Sequence, residues 1–240
     1  RVAKALGVPG RPDVVAIVDA ANAQTAIERN RVIGTQQFDI LRDPPRLNES
    51  AMGNLVADAL RARYPGVEAA LVNSGSLRDD LHVVPPSAGE LPGEITWGEV
   101  FAVLPFGNRT VIETLTGAQL VQAFLNGVSP RCDPGIATGR FPQVSGLVLN
   151  YTCVGTTPVI NGVWKAPGGP LGPLTPIGAA DTVRIVTNDF MFTGGDGYTA
   201  LSDGANVIPV GDDVLTVTVD FITAHSPVGP VVEGRIVKAP

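Results

Sequence analysis

Apolar positions recur along this chain with two periods, and the change from one to the other outlines its elements. Val14, Ile17, Val18 and Ala21 are spaced three and four apart, which predicts a helix over Val14–Glu28 with Asp13 as its cap. Met52, Leu55, Val56 and Ala59 repeat the pattern in AMGNLVADALRARY, behind Ser50 or Asn48 as cap and ahead of Pro65-Gly66. Leu120, Val121, Phe124 and Leu125 do so again in LVQAFLNGV, with Gly127 as the predicted stop. Thr96 with Glu99 in TWGE, and Thr116 with Gln119 in TGAQ, have the spacing of capping boxes. The first would open a short helix through Phe101, closed by Pro105.

Short apolar or β-branched runs predict strands at Val67–Asn73, RTVIETL, Val144–Thr152, Thr182–Thr187 and Val231–Val237, with Pro158–Lys165 at an edge. Arg31–Ile40 reads as extended, Gly168–Gly178 as a loop, and Tyr198–Ser202 as the start of a short helix. Asp212–His225 fits both periods. Leu215, Val217, Val219 and Phe221 alternate, while Leu215, Thr218, Val219 and Ile222 share a helical face. Propensity differs by only about a few tenths of a kcal/mol per residue, so both readings stand. Irregular alternation of helices and strands points to an α+β fold, a mixed β-sheet with packed helices. Residues 1–12 read as a tether and 13–240 as the domain.

At 44% hydrophobic and 17% charged, the chain has enough apolar material for a core and is not disordered in character. No apolar run reaches the ~18 residues of a membrane span. A net charge of −6 speaks against binding a nucleic-acid backbone, though not against a small anion held by local arginines. The two cysteines, Cys132 and Cys153, are either a disulfide or two buried thiols. A bridge over that loop would contribute about 3 kcal/mol on the chain-entropy argument.

Candidate chemistry narrows by subtraction. There is no HExxH, GxSxG, P-loop or GxGxxG, and no Cys/His cluster; the histidines are His82 and His225 alone. What remains suits binding. Phe106 stands in the turn LPFGN, and Phe190 at the lip of the glycine loop in FMFTGGDGY. Two such rings roughly 7 Å apart, twice a carbon contact, would hold a flat base between them. Stacking of that kind is worth about 1–3 kcal/mol per base. Composition alone favours two core plugs over such a clamp. Asp196 offers two acceptor oxygens to a ribose, or closes its own Asp-Gly turn. Arg46 and Arg78 suit phosphate or carboxylate; otherwise they are surface charges, Arg78 pairing with Asp79 or Asp80. Asn73 and Asn108 can reach a base edge or cap a loop.

These residues fall within seven segments: RLNESAMGNLVADAL, LVNSGSLRDDL, GEITWGEVFAVLPFGN, LTGAQLVQAFLNGV, GRFPQVSGL, NDFMFTGGDGY and SPVGPVVEGRI. In that order, from residue 46 to residue 236, they resemble the C-terminal, substrate-binding domain of the 5'-nucleotidase family. That family includes bacterial periplasmic 5'-nucleotidase/UDP-sugar hydrolases and animal ecto-5'-nucleotidases. The resemblance implies that Phe106 and Phe190 sandwich a base and that Asp196 holds the ribose hydroxyls. It implies that Asn73 and Arg78, from the N-x-G-x-x-R loop, contact ligand, with Arg46 reaching substrate and Asn108 the base. Where relatives have Asn-Gly-Gly, this chain has Asn73-Ser74-Gly75, and the serine is expected to tighten the backbone there. The resemblance favours helix for Asp212–His225, and an exported parent, periplasmic, cell-surface or extracellular, favours the Cys132–Cys153 bridge.

In the family, hydrolysis of nucleoside phosphate esters belongs to a separate N-terminal metallophosphatase domain. That domain carries two divalent metal ions and motifs such as GNHE, which these residues lack. The chain is therefore expected to be an excised C-terminal half without cofactor of its own, Asp13–Glu28 belonging to the interdomain helix. Its expected partners are a nucleoside or nucleotide and the N-terminal domain in cis. Relatives also act on UDP-sugars and 2',3'-cyclic nucleotides. The alternative is a stand-alone nucleoside-binding or structural module with no catalytic partner.

Overall fold

A computed structural model describes residues 11–43, 45–84, 90–209 and 211–240. In chain order the helices are α1 (Pro12–Arg29), α2 (Ala51–Arg63), α3 (Trp97–Val103), α4 (Gly117–Val128), α5 (Asp189–Phe192) and α6 (Val214–His225). The strands are β1 (Val32–Thr35), β2 (Ala69–Asn73), β3 (Glu94–Thr96), β4 (Thr110–Thr116), β5 (Pro142–Ser145), β6 (Leu147–Val154), β7 (Thr157–Lys165), β8 (Thr175–Pro176), β9 (Thr182–Asn188), β10 (Ala205–Ile208) and β11 (Ile236–Lys238).

A five-stranded sheet in the order β10-β4-β9-β2-β5 divides the interior. In it only β2 and β9 run parallel; the other neighbours are antiparallel. Because successive side chains leave a strand on opposite faces, Ala70, Val72, Ile112 and Val186 join one core with α2 and α6. Ala69, Leu71, Leu115, Val183 and Ile185 join a second core with Leu120 and Phe124 of α4 and Leu149 and Tyr151 of β6. Both faces are covered, which is why β2, AALVN, reads as an almost unbroken apolar run. A second sheet, β11-β6-β7-β8, and the ribbon β1-β3 complete the mixed α+β architecture.

Both capping boxes form, at Thr96/Glu99 and Thr116/Gln119, and Ser50 caps α2. Asp213 accepts from the Thr216 amide and starts α6, resolving the two-period segment as helix. Cys132 and Cys153 are bonded as a disulfide. Among the described residues no helix is long and apolar enough to cross a membrane.

Several expectations are corrected. Asp13 does not cap α1; Arg11 precedes the helix without a side-chain cap bond, and Asp13 sits in the first turn paired to Arg11 at 2.6 Å. Pro12 is the first helical residue of α1, and residues 1–10 lie outside the described residues. The stripe Val14, Ile17, Val18 faces solvent rather than a core. Gly127 does not stop α4. It lies inside the helix, where a Cβ would stand 2.5 Å from the Tyr198 hydroxyl. The run Val144–Thr152 is two strands, broken at Gly146 with φ 74°. Of Val231–Val237 only the end is strand, in β11. The loop Gly168–Gly178 carries β8, and β10 has no apolar alternation to announce it.

Candidate functional site

The parallel strands β2 and β9 end side by side in Asn73 and Asn188, and the cleft opens above them. Asn188 closes β9 and caps α5: its Oδ1 accepts from the Met191 amide at 2.8 Å. The same side chain donates from Nδ2 to Asn73 Oδ1 at 3.2 Å. Asn73 Oδ1 also accepts from the Ser76 hydroxyl. With its oxygen saturated, the 2% exposed Asn73 turns its Nδ2 to Asp196 Oδ2, 2.7 Å away. Asn73 thus orients the carboxylate of Asp196.

Phe190 rides on α5 and is 43% exposed. A Cβ on Gly195 would lie 2.6 Å from both Cε1 and Cε2 of its ring, so one ring face rests on the glycine backbone. The glycine loop therefore backs the ring, and only a hydrogen fits between them. Phe106 follows α3 in the turn before Gly107 (φ 65°) and is 57% exposed. The Arg78 guanidinium carbon stands 5.6 Å from its ring centroid, within cation–π range. Neither phenylalanine is a core plug, since about half of each residue stays open to solvent.

Arg46 sits in a turn with φ 58°. Asp43 templates that turn, its Oδ2 accepting from the amides of Leu47 at 2.6 Å and Asn48 at 2.9 Å. Gln143 of β5 ties this loop to the Asn73-Ser74-Gly75 turn, donating from Nε2 to Asn48 O and Ser74 Oγ, each at 2.9 Å. The serine does anchor that turn. Burial holds the Arg46 guanidinium below its ordinary pKa; Arg78 and Arg42 add to this, and Asp196 partly offsets it. Asp80 stands 3.7 Å from Arg42, leaving Arg78 over the ring.

Arg46, Asn73, Arg78, Phe106, Asn108, Phe190 and Asp196, the whole set singled out from the sequence, line one cleft of about 360 Å³. Gly75, Ser76 and Gly139 complete the lining. Sequence reasoning passed over Gly139, although a Cβ on Gly75 would come within 3.1 Å of its carbonyl oxygen. It also missed Asn188, whose signal was an Asn directly before a short polar-aromatic run, the mark of an N-cap. Aromatic faces, a fixed carboxylate and two guanidiniums suit a flat, polar, anionic ligand. Among the described residues no group of three or more His, Cys, Asp or Glu is placed to hold a metal ion, so these residues do not fit a two-metal hydrolytic centre.

Residues 27–203 match the profile of the family described as 5'-nucleotidase, C-terminal domain. The chain belongs to that family. It is 33% identical over 207 residues to the trifunctional nucleotide phosphoesterase protein YfkN of Bacillus subtilis, covering 83% of this chain and 13% of that one. It is 28% identical over 212 residues to the 5'-nucleotidase of Bos taurus, covering 80% and 34%. The crystal structure of the 5'-nucleotidase precursor from Thermus thermophilus superposes with a TM-score of 0.78 at 29% identity, over 92% of this chain and 42% of that one. The chain therefore spans less than half the length of each of these relatives, in keeping with a 5'-nucleotidase C-terminal domain as one part of a larger enzyme.

Proposed function

We propose that this chain, from α1 to its end, is the substrate-recognition domain of an exported 5'-nucleotidase-type phosphohydrolase. The base lies between Phe106 and Phe190, its edge facing Asn108. The ribose hydroxyls bond to Asp196, and Arg46 and Arg78 receive the phosphate. The observation that carries this reading is the convergence of all seven side chains on one cleft. The half-exposed rings, suited to a base, and the amide-oriented carboxylate, suited to a sugar, support it. Metal-activated water, the chemistry a two-metal centre supplies, would come from a metallophosphatase domain in cis; this chain binds and orients. The disulfide supports export, since such bonds persist in oxidising compartments. One relative is described as a cell wall protein, from Listeria monocytogenes, 30% identical over 242 residues.

Calorimetric titration of adenosine and AMP into the chain tests the reading. Both bind, AMP more tightly, and Phe106→Ala weakens both about tenfold, within the ~1–3 kcal/mol of a lost stacking partner. Equal affinity of wild type and Phe106→Ala would remove the stacking site.

A further inference from the structure

Asp196, like Arg46, has a left-handed backbone in the cleft. Its φ of 54° lies in the left-handed region, which a side chain with a Cβ disfavours, an aspartate less than most. Asn73 fixes the carboxylate, as described. The backbone is fixed from elsewhere. Asn126, on α4 and outside the cleft lining, donates from Nδ2 to the Asp196 carbonyl at 3.1 Å.

An amide can face either way, and a flipped Asn126 would set oxygen against oxygen. Arg140 prevents this. Its Nη1 donates to Asn126 Oδ1 at 2.8 Å, and a guanidinium only donates, so the NH2 must point to Asp196. Arg140 is tied in turn: the hydroxyl of the fully buried Tyr198 donates to its carbonyl at 2.6 Å. The approach requires glycine at 197, where a Cβ would stand 2.8 Å from Asn126 Oδ1. We infer that Asn126 and Arg140 are positioning residues for the sugar end of the cleft: an amide strap, oriented by a guanidinium, that sets discrimination for the ribose diol without touching ligand. The inference rests on the nucleoside reading above.

The test compares adenosine with 2',3'-dideoxyadenosine, which keeps the base and loses the diol. The wild-type chain binds adenosine at least about tenfold more tightly, as expected for hydrogen bonds to a charged acceptor. Asn126→Asp keeps size and the Arg140 partner but sets an acceptor against the Asp196 carbonyl. It brings the ratio to within about twofold of unity while dideoxyadenosine affinity stays unchanged. Arg140→Met, which leaves Asn126 in place but frees its amide to turn, gives a smaller loss of the same ratio, and Arg140→Lys restores it. This second series keeps the inference exposed to failure if Asn126→Asp does not fold. An unchanged ratio in folded variants overturns the positioning role and leaves the nucleoside site intact. Parallel loss of both ligands overturns it too, because that is general damage. A wild-type chain that binds both nucleosides equally removes the carboxylate–ribose contact and the inference together.

Discussion

Glu113 is the residue whose chemistry the cleft does not explain. It lies in the middle of β4, fully buried, and neither carboxylate oxygen has a partner among the described residues. A Cβ on Gly204 would stand 2.0 Å from Oε2, so the chain packs directly on it. Burial pushes its pKa up to about 8. The folded value lies above the unfolded one, so the folded protein keeps a proton that the unfolded chain releases. Glu113 is then harmless below about pH 4.5, and its cost grows as pH rises toward about 8, where it levels off. Glu113→Gln should change stability little at pH 4.5, where both states hold the proton, and raise it at pH 8.5 by on the order of a few kcal/mol, since only the carboxylate form carries the ionisation cost. Urea titrations at the two pH values read this; a gain of equal size at both would mean that ionisation is not the cause.

At the scale of elements, α4 shows packing overruling propensity. Gly127 lies in its last turn with a Cβ position 2.5 Å from the Tyr198 hydroxyl and 3.0 Å from Pro142 Cδ. Alanine is favoured over glycine in a helix by about 1 kcal/mol, but forcing a methyl into a filled site costs about 1–3 kcal/mol. Gly127→Ala is therefore expected to destabilise by about 1 kcal/mol, seen as a lower denaturation midpoint; an increase would mean that the tyrosine moves aside freely. The sequence marked Gly127 as a stop because that is the commonest use of a late glycine, and a close neighbour contributed by Tyr198 has no local signature. The same logic separates what could be read from what could not. The capping boxes at Thr96 and Thr116 are local, and both were legible. The split at Gly146 and the strand β10 depend on partners far along the chain. The residues lining the cleft were picked out through the segments that resemble the family, since composition alone favoured core plugs at Phe106 and Phe190. Asn126 and Arg140 were not, because an amide in a helix and an arginine in a turn have ordinary surface uses. The exposed face of α1 was misread because its spacing is that of a buried helix, while no described element covers Val14, Ile17 or Val18.

For the molecule as a whole, the disulfide closes the excursion between α4 and β6, Cys132 to Cys153. Reducing it should cost about 3 kcal/mol on the chain-entropy argument, a drop in melting temperature of about 6–12 °C for a domain of this size. Differential scanning calorimetry with and without reductant measures it, and an unchanged melting temperature would show that the core built on β6 and β7 needs no staple. The bond lies outside the cleft lining, so nucleoside affinity at about 20 °C should survive reduction.

Asn188 joins two duties in one amide: it starts the short helix that carries Phe190 and braces the asparagine that aims Asp196. Ring and carboxylate are thus geared together. Anyone recasting this cleft for a new ligand would find the Phe190 side stiff, because each change there also turns the Asp196 carboxylate. Phe106 hangs from a separate hinge between α3 and β4, beside a left-handed glycine, and answers to neither. Diversification, in a library or over evolutionary time, should accumulate on that wall.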